Sequence, residues 1–214
     1  MSRPFRSIAS PALPKAEQLP LVDADVRVYP PLAITDRDAL LNRLIIETPW
    51  RQEYINMFGR RHKQPRLEAW YGDPGTDYSY SGVHHTPLPW TDDLQKLRDL
   101  AQMASQSLFN SVLLNYYRDG QDHMGLHADD EPELGERPTI ASLSLGAQRR
   151  MFFRPKKPTP NQVTYSLDLD CGSLLIMAGD TQRNWKHGIR KTRKPCGARV
   201  NLTFRNITRR HTSR

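Results

Sequence analysis

The sequence has few cysteines and no long hydrophobic run. Cys171 and Cys196 are the only cysteines in 214 residues, too few for a disulfide framework and not spaced as a metal-binding pair. No run approaches the roughly 18 apolar residues of a membrane helix, and the N-terminus lacks the apolar core of a signal peptide. We therefore expect a reducing compartment and no membrane: the cytoplasm in a bacterium, with the nucleus possible in a eukaryote.

The composition is that of a folded, basic chain. Hydrophobic residues make up 37% of the sequence, and its length fits one domain with a proper core. Lysine and arginine number 31 against 23 acidic residues, a formal net charge of +8. This excess favours a polyanionic partner, nucleic acid before membrane, because no basic amphipathic helix stands out. Many soluble proteins are equally basic without binding nucleic acid, so charge alone is weak evidence.

Prolines and hydrophobic periodicity divide the domain into four segments. Residues 1–31 contain six prolines and no sustained period, which predicts a loosely ordered arm, with a short strand around residues 25–29. Residues 32–110 carry two helical stripes and an aromatic segment between them. Residues 111–207 alternate as strands do, and residues 208–214 form a basic tail.

The two helical stripes in the second segment predict supporting helices. Thr35 suits a helix N-cap, and the apolar stripe after it ends before Pro49. The second helix is expected from Thr91 or Asp92 to about Ser107. The inward-facing residues would be Leu40, Leu41, Leu44 and Ile45 in the first helix, and Leu94, Leu97, Ala101, Ala104 and Leu108 in the second.

His127 and Asp129 form a candidate metal-binding pair. In extended backbone, residues two apart point to the same side, so this imidazole and carboxylate can hold one metal ion from one face. His187 is the natural third ligand, completing the 2-His-1-carboxylate set that binds Fe(II) with open positions. By itself, the motif fits a surface histidine beside a surface aspartate better than a metal site.

The segment Arg199–Arg205 alternates polar and apolar residues without a break, the period of a β-strand. A half-buried outer strand would explain this pattern by itself. A second strand, residues 112–117, also presents hydrogen-bonding groups on one face. Arginines together with Asn, Thr and Tyr suit a small dicarboxylate, because guanidinium groups bind carboxylates bidentately. The polar residues are Arg199, Asn201, Thr203 and Arg205 in one strand, and Asn115 and Tyr117 in the other.

Taken jointly, these motifs resemble the AlkB family of Fe(II)/2-oxoglutarate dioxygenases, which repair alkylated nucleic acid bases. The order and spacing match from about residue 50 to 207. The motifs are Asn115-x-Tyr117, His127-x-Asp129-Asp130-Glu131, Ile140–Gly146, Gly172–Met177, Trp185-x-His187 and Arg199–Arg205.

The resemblance implies an α+β, mainly β fold: a double-stranded β-helix, or jelly roll, with supporting N-terminal helices and a nucleotide-recognition lid. Predicted strands at about residues 112–117, 139–145, 149–154, 162–167, 173–178, 185–189 and 199–205 agree with this. It also implies Fe(II) on His127, Asp129 and His187, with O₂ and 2-oxoglutarate as cosubstrates. The six polar residues of the two strands would bind 2-oxoglutarate, and which arginine takes which carboxylate stays open.

The resemblance also implies substrate-binding residues. Phe58 matches an apolar finger that duplex-preferring members push into the base stack. Arg66 and Tyr78 match lesion-pocket positions, and Tyr80 lies in the same lid. About half of the aromatic residues in this region could instead simply fill the core.

Acidic and basic residues near the predicted metal site add two more expectations. Carboxylates at Asp130 and Glu131 would favour a cationic base, although a solvated acidic turn is an equal alternative. Basic residues follow the second metal histidine, where family members contact DNA phosphates, although such runs are usually solvated loops. They are Arg190, Lys191, Arg193 and Lys194. The connection from Arg154 to Gln162 is shorter than in vertebrate duplex-preferring members of the family. The resemblance therefore does not imply that this connection binds the opposite DNA strand.

The resulting hypothesis is oxidative dealkylation of N1-methyladenine and N3-methylcytosine in DNA, with release of formaldehyde and succinate, by a protein expected to be monomeric. Two alternatives stay open at this point. One is the same chemistry on RNA or protein, and the other is an inactive nucleic-acid-binding module.

Overall fold

The computed structural model describes residues 13–57, 60–80, 83–157 and 163–208. Short strands and three helices alternate along these ranges. The helices are α1 (Arg37–Glu47), α2 (Asp92–Ser105) and α3 (Thr181–Asn184), with a 3-10 turn at Pro132–Leu134. The strands are β1 (Glu17–Gln18), β2 (Asp25–Tyr29), β3 (Tyr54–Met57), β4 (Arg60–Lys63), β5 (Leu67–Gly72), β6 (Tyr78–Tyr80), β7 (Val83–His85), β8 (Ser111–Tyr117), β9 (Met124–His127), β10 (Ile140–Gly146), β11 (Arg149–Pro155), β12 (Tyr165–Leu169), β13 (Leu174–Ala178), β14 (Trp185–Ile189) and β15 (Arg199–Arg205).

Two antiparallel sheets form the body of the molecule. The major sheet has the strand order β1-β2-β13-β10-β15-β8-β5, and the minor sheet has the order β12-β11-β14-β9. Two hairpins, β3–β4 and β6–β7, stand apart from both sheets. This arrangement of two facing sheets confirms the predicted jelly roll with supporting helices.

The major sheet is buried on both faces. One face packs against α1 and α2 through alternate residues such as Leu143, Leu202 and Phe204. The other face contributes Leu113, Tyr117 and other residues to a second core, which includes Phe153 of the minor sheet. Because β15 lies centrally between β10 and β8, its polar side faces the space between the sheets. The alternative of an outer strand with a wet polar side is therefore wrong.

The supporting helices follow the predicted stripes with two local differences. The N-cap of α1 is Asp36 rather than Thr35: its side chain accepts from the backbone N of Ala39, and it adopts a left-handed φ of 47°. The N-cap of α2 is Thr91, as expected, but this helix ends in a left-handed residue, Gln106. Leu108 therefore lies beyond the helix and is 77% exposed, so its predicted inward position is wrong.

The N-terminal segment differs from the predicted loose arm from residue 13 onward. Leu19, Leu21 and Val26 are buried, and β2 pairs with β13 along its whole length. β2 itself has the bounds predicted for a short strand around residues 25–29. The ordered residues before it were not predicted, because β1 has only two residues, too few to set a period. In the described part of the chain, no helix combines the length and apolar character that crossing a membrane would require.

Candidate active site

Two paired strands bring the candidate metal ligands together. His127 is the last residue of β9 and lies directly opposite His187 of β14, with their ring centroids 4.4 Å apart. Asp129 follows two residues after the end of β9. Its carboxylate oxygens lie 3.9 Å from His127 Nε2 and 3.7 Å from His187 Nε2. One ligand atom from each of the three residues falls within 4.8 Å of the others.

A glycine allows β14 to approach β9 this closely. A Cβ atom at Gly188 would lie 2.8 Å from the backbone carbonyl oxygens of Met124 and Gly125. The pairing register also shifts between His187 and Ile189. Any larger residue at position 188 would therefore push the two histidine-bearing strands apart.

Both imidazoles are in the form that binds metal. Burial, followed by the charge of His127, lowers the pKa of His187 to about 3. Burial also lowers the pKa of His127, against the opposing charge of Asp129. His127 Nδ1 lies 3.0 Å from the carbonyl oxygen of Gly125. Because a carbonyl oxygen only accepts, Nδ1 carries the proton and the Nε2 lone pair points towards Asp129.

Asp129 is a buried carboxylate, 1% exposed. Burial alone would raise its pKa, but Arg205 and the two histidines outweigh burial and hold the pKa well below the ordinary value. Arg205 Nη2 donates to Oδ1 at 2.7 Å, whereas Oδ2 has no hydrogen-bond partner among the described residues. An ionised oxygen beside two neutral imidazoles is the donor set that fits Fe(II).

A cavity between the two sheets adjoins this cluster. Its wall on the major sheet includes the side chains of Asn115, Tyr117, Ser142, Asn201 and Thr203. Asn201 Nδ2 donates to Ser142 Oγ at 2.8 Å and to the Leu143 carbonyl at 2.9 Å. Thr203 Oγ1 in turn donates to Asn201 Oδ1 at 3.2 Å. These bonds fix the orientation of the polar wall.

Arg199 is a fully buried cation over the Tyr117 ring, with the guanidinium carbon 5.2 Å from the ring centroid. Its Nη2 donates to Ser144 Oγ at 3.0 Å. Its Nε and Nη1 have no hydrogen-bond partner among the described residues. Burial lowers the pKa of this guanidinium, and the neighbouring Tyr117 opposes the shift. A buried cation with unused donors fits a carboxylate ligand such as that of 2-oxoglutarate.

The candidate lesion-pocket residues differ in where they lie. Arg66 is buried: its Nε donates to Asn115 Oδ1 at 2.7 Å, and its Nη2 forms an ion pair with Glu68. Tyr78 and Tyr80 form β6, and their side chains lie outside the described part of the structure. Phe58 lies outside the described residues. Of the neighbouring aromatics, Trp70 and Tyr71 are buried in the core.

The two acidic residues after Asp129 lie near the surface. Asp130 is exposed and pairs with Lys156, Oδ2 to Nζ at 2.7 Å. Glu131 is partly buried at the start of the 3-10 turn. Asp130 thus lies next to the candidate metal ligand Asp129, and its carboxylate is paired with Lys156.

The four predicted DNA-backbone residues Arg190, Lys191, Arg193 and Lys194 are all exposed. Their loop is fixed at its base, where Thr192 N donates to the Gly120 carbonyl at 2.8 Å and Arg149 Nη2 donates to the Arg190 carbonyl at 2.8 Å. The guanidinium of Arg190 stacks on Phe152, 4.2 Å from the ring centroid. Hydrogen bonds therefore hold the base of the loop in place, while its four cationic side chains are exposed.

Sequence reasoning missed several residues that support the site. Glu68 pairs with Arg66, Lys156 pairs with Asp130, and Gln182 accepts a hydrogen bond from the backbone of Asp129 at 3.0 Å. Each of these residues is ordinary in its local sequence. The exception is Glu68, which the sequence could have singled out because it is a charged residue in the largely apolar strand β5.

Comparison with known proteins agrees with this geometry. Residues 27–205 match the family model of the 2OG-Fe(II) oxygenase superfamily. The chain is 42% identical over 158 residues to DNA oxidative demethylase ALKBH2 of Bos taurus, covering 72% of this chain and 57% of that protein. It is 40% identical over 190 residues to alpha-ketoglutarate-dependent dioxygenase alkB homolog 3 of Rattus norvegicus, covering 85% of this chain and 64% of that protein. It thus spans less than two thirds of the length of these relatives.

The fold also matches a solved structure. The structure of OsALKBH1 superimposes with a TM-score of 0.64 at 17% sequence identity, covering 90% of this chain and all of that one. At this identity the likeness concerns the fold. The family match extends over most of the chain and includes every candidate metal ligand. The chain therefore belongs to the 2OG-Fe(II) oxygenase superfamily and, within it, to the AlkB family.

Proposed function

We propose that this protein is an Fe(II)- and 2-oxoglutarate-dependent dioxygenase that oxidatively dealkylates N-alkylated bases in DNA, N1-methyladenine and N3-methylcytosine among them. The observation that carries the proposal is the convergence of His127, Asp129 and His187 beside a cavity lined by polar residues of the major sheet. The names of the similar proteins from cattle and rat, a DNA oxidative demethylase and an alkB homolog, support the same chemistry.

His127, Asp129 and His187 would hold the iron. With 2-oxoglutarate and O₂, the bound metal supplies the oxidation that hydroxylates the N-alkyl carbon, after which formaldehyde leaves the base and succinate and CO₂ remain from the cosubstrate. The chain's part is placement. Neutral imidazoles and an ionised Asp129 keep the metal site competent at neutral pH.

The two arginines of β15 would serve opposite ends of 2-oxoglutarate. They lie six residues apart on the same side of β15, so their long side chains can reach a small ligand from opposite ends. Arg205 is bonded to the metal ligand Asp129, so it belongs at the keto-acid end. Arg199, over Tyr117, would then bind the distal carboxylate. This assigns the ends that the sequence left open.

Asn115 would add a donor to the same pocket. Its Oδ1 accepts from Arg66 Nε, so its amide N–H groups are turned away from that guanidinium. They can bind an anionic or carbonyl oxygen in the cavity. Asn201 and Thr203, whose polar groups bond to each other and to β10, would act by holding the wall in shape.

The negative charge of Asp130 would favour the binding of cationic bases. N1-methyladenine and N3-methylcytosine are cations at neutral pH, and Asp130 lies next to the metal ligand Asp129. Asp130 is paired with Lys156, and the side chain of Asp130 is 59% exposed. Such surface pairs contribute about 0–1 kcal/mol, so a cationic base can displace Lys156. The exposed cations at Arg190, Lys191, Arg193 and Lys194 would hold phosphates of the same strand or its partner.

Formaldehyde and succinate release from methylated single-stranded DNA, duplex DNA and RNA, measured side by side with added Fe(II), tests the proposal. Release of both from DNA above RNA is expected. Asp129→Ala should abolish both products, whereas Asp99→Ala, an acidic residue exposed on α2, should leave them unchanged. Succinate formation that no methylated nucleic acid stimulates would refute the proposed substrate. Full activity of Asp129→Ala would refute the ligand assignment.

A further inference from the structure

The side chain of Gln182 reaches the main chain of a metal ligand. Its Oε1 accepts a hydrogen bond from the backbone N–H of Asp129 at 3.0 Å. Both residues are buried, Gln182 at 2% and Asp129 at 1% exposure. The two positions are 53 residues apart in the sequence, so this contact joins two separate parts of the chain.

Asp129 needs such a partner because no strand holds it. β9 ends at His127, so the N–H of Asp129 lies beyond the ladder between β9 and β14. That ladder is itself irregular, with a register shift between His187 and Ile189. A buried N–H without a partner is costly. The hydrogen bond that Asp129 N–H donates to Gln182 therefore replaces the strand pairing that would otherwise fix Asp129 relative to His187.

Gln182 makes this bond from an anchored support. It belongs to α3, which leads directly into β14 and ends three residues before His187. Its neighbour Thr181 donates to the Ala178 carbonyl at 2.6 Å and accepts from Asp25 N at 3.0 Å. These bonds tie α3 to β13 and β2. The segment that carries His187 therefore also binds the backbone of Asp129, through Gln182.

We propose that Gln182 is a positioning residue of the metal site. Its Oε1 fixes the backbone at Asp129, so that Oδ1 of the carboxylate stays on Arg205 while Oδ2 lies 3.7 Å from His187 Nε2. The proposal rests on the metal site. It is independent of which nucleic acid the protein acts on.

The test is a Co(II) titration of the metal-free protein, with the cobalt absorption bands as readout. Gln182→Met is close in size but has no strong acceptor, and it should weaken Co(II) binding by about tenfold or more, as substitutions of residues that orient ligands do. Gln182→Glu keeps an acceptor oxygen and adds a negative charge near the site, so it should not weaken Co(II) binding. In turnover with 2-oxoglutarate, Gln182→Met should raise the Fe(II) concentration needed for half-maximal rate more than it lowers the rate at saturating Fe(II).

Ser173→Ala is the matched control. It removes the hydrogen bond from Oγ of the buried Ser173 to the Asp170 carbonyl at 2.8 Å, which touches neither α3 nor Asp129, so it should lower the melting temperature and leave Co(II) affinity near that of the wild type. If Gln182→Met does not fold, Gln182→Asn, whose side chain is one methylene too short, replaces it. Wild-type Co(II) affinity in the variant without the acceptor, or an equal loss in Ser173→Ala, would overturn the proposal. Since no nucleic acid is present, failure of the DNA assay leaves this result unaffected.

Discussion

Replacing Arg199 with methionine should separate cosubstrate binding from folding. Arg199 is fully buried, and its Nε and Nη1 have no hydrogen-bond partner among the described residues. Without 2-oxoglutarate, this guanidinium is a buried cation with unused donors, which destabilises the folded state. Methionine fills similar space without charge. We therefore expect Arg199→Met to melt at the same temperature as the wild-type protein, or higher, when 2-oxoglutarate is absent.

The effect on 2-oxoglutarate binding should be the reverse and large. Hydrogen bonds to charged groups contribute about 1.5–3 kcal/mol each, so losing two costs about 3–6 kcal/mol. At about 1.4 kcal/mol per factor of ten, affinity should fall by roughly 100-fold or more. Calorimetric titration with 2-oxoglutarate, in the presence of a redox-inert divalent metal, measures this loss.

A matched arginine substitution supplies the control. Arg150 lies on the outer face of β11, where it pairs with Asp168 and is 58% exposed. Arg150→Met should bind 2-oxoglutarate as the wild-type protein does. If Arg199→Met bound it within threefold of the wild type, or if both variants lost affinity equally, the assignment of the distal carboxylate to Arg199 would be refuted.

Two further predictions concern pH and nucleic-acid binding. Because the pKa of His187 falls from 6.5 to about 3 on folding, the unfolded state binds the extra proton between those values, so the metal-free protein should lose stability as pH falls through that window. Urea unfolding across pH should show this, with a shallower dependence in His187→Gln; an unchanged slope would contradict it. Charge reversal at Arg193 and Lys194 should weaken DNA binding in fluorescence anisotropy and reduce the slope of log K against log salt by about 2. An unchanged slope would mean that these residues do not contact phosphates.

Local sequence patterns predicted most of the fold. The uninterrupted alternation of Arg199–Arg205 predicted a strand with the bounds that β15 has, because side-chain period two is a property of extended backbone itself. The cap and stripe of α2 were equally readable from Thr91 onward. β2 has the predicted bounds. Where the signal was shorter still, as in the two-residue β1, or where two adjacent residues could cap, as at Thr35 and Asp36, the sequence did not predict the structure.

The candidate site divides in the same way. Residue types and spacing pointed to His127, Asp129 and His187 only when read with the family resemblance, because the His-x-Asp motif alone is weak evidence for a metal site. They could not decide that the polar side of β15 faces inward, because that depends on which strands flank it. They also could not reveal that Asp130 is paired with Lys156.

By itself, the sequence determined the strand and helix periods and, through the family resemblance, pointed to the candidate metal ligands and to the polar residues of two strands. Only the tertiary structure decided that Glu68 pairs with Arg66, that Gln182 accepts from the backbone of Asp129 and that Arg205 rather than Arg199 bonds to Asp129. The physical reason is distance along the chain. A period needs only neighbouring residues, whereas a hydrogen bond such as that from Asp129 to Gln182 forms between residues 53 positions apart, whose meeting depends on how the whole domain packs.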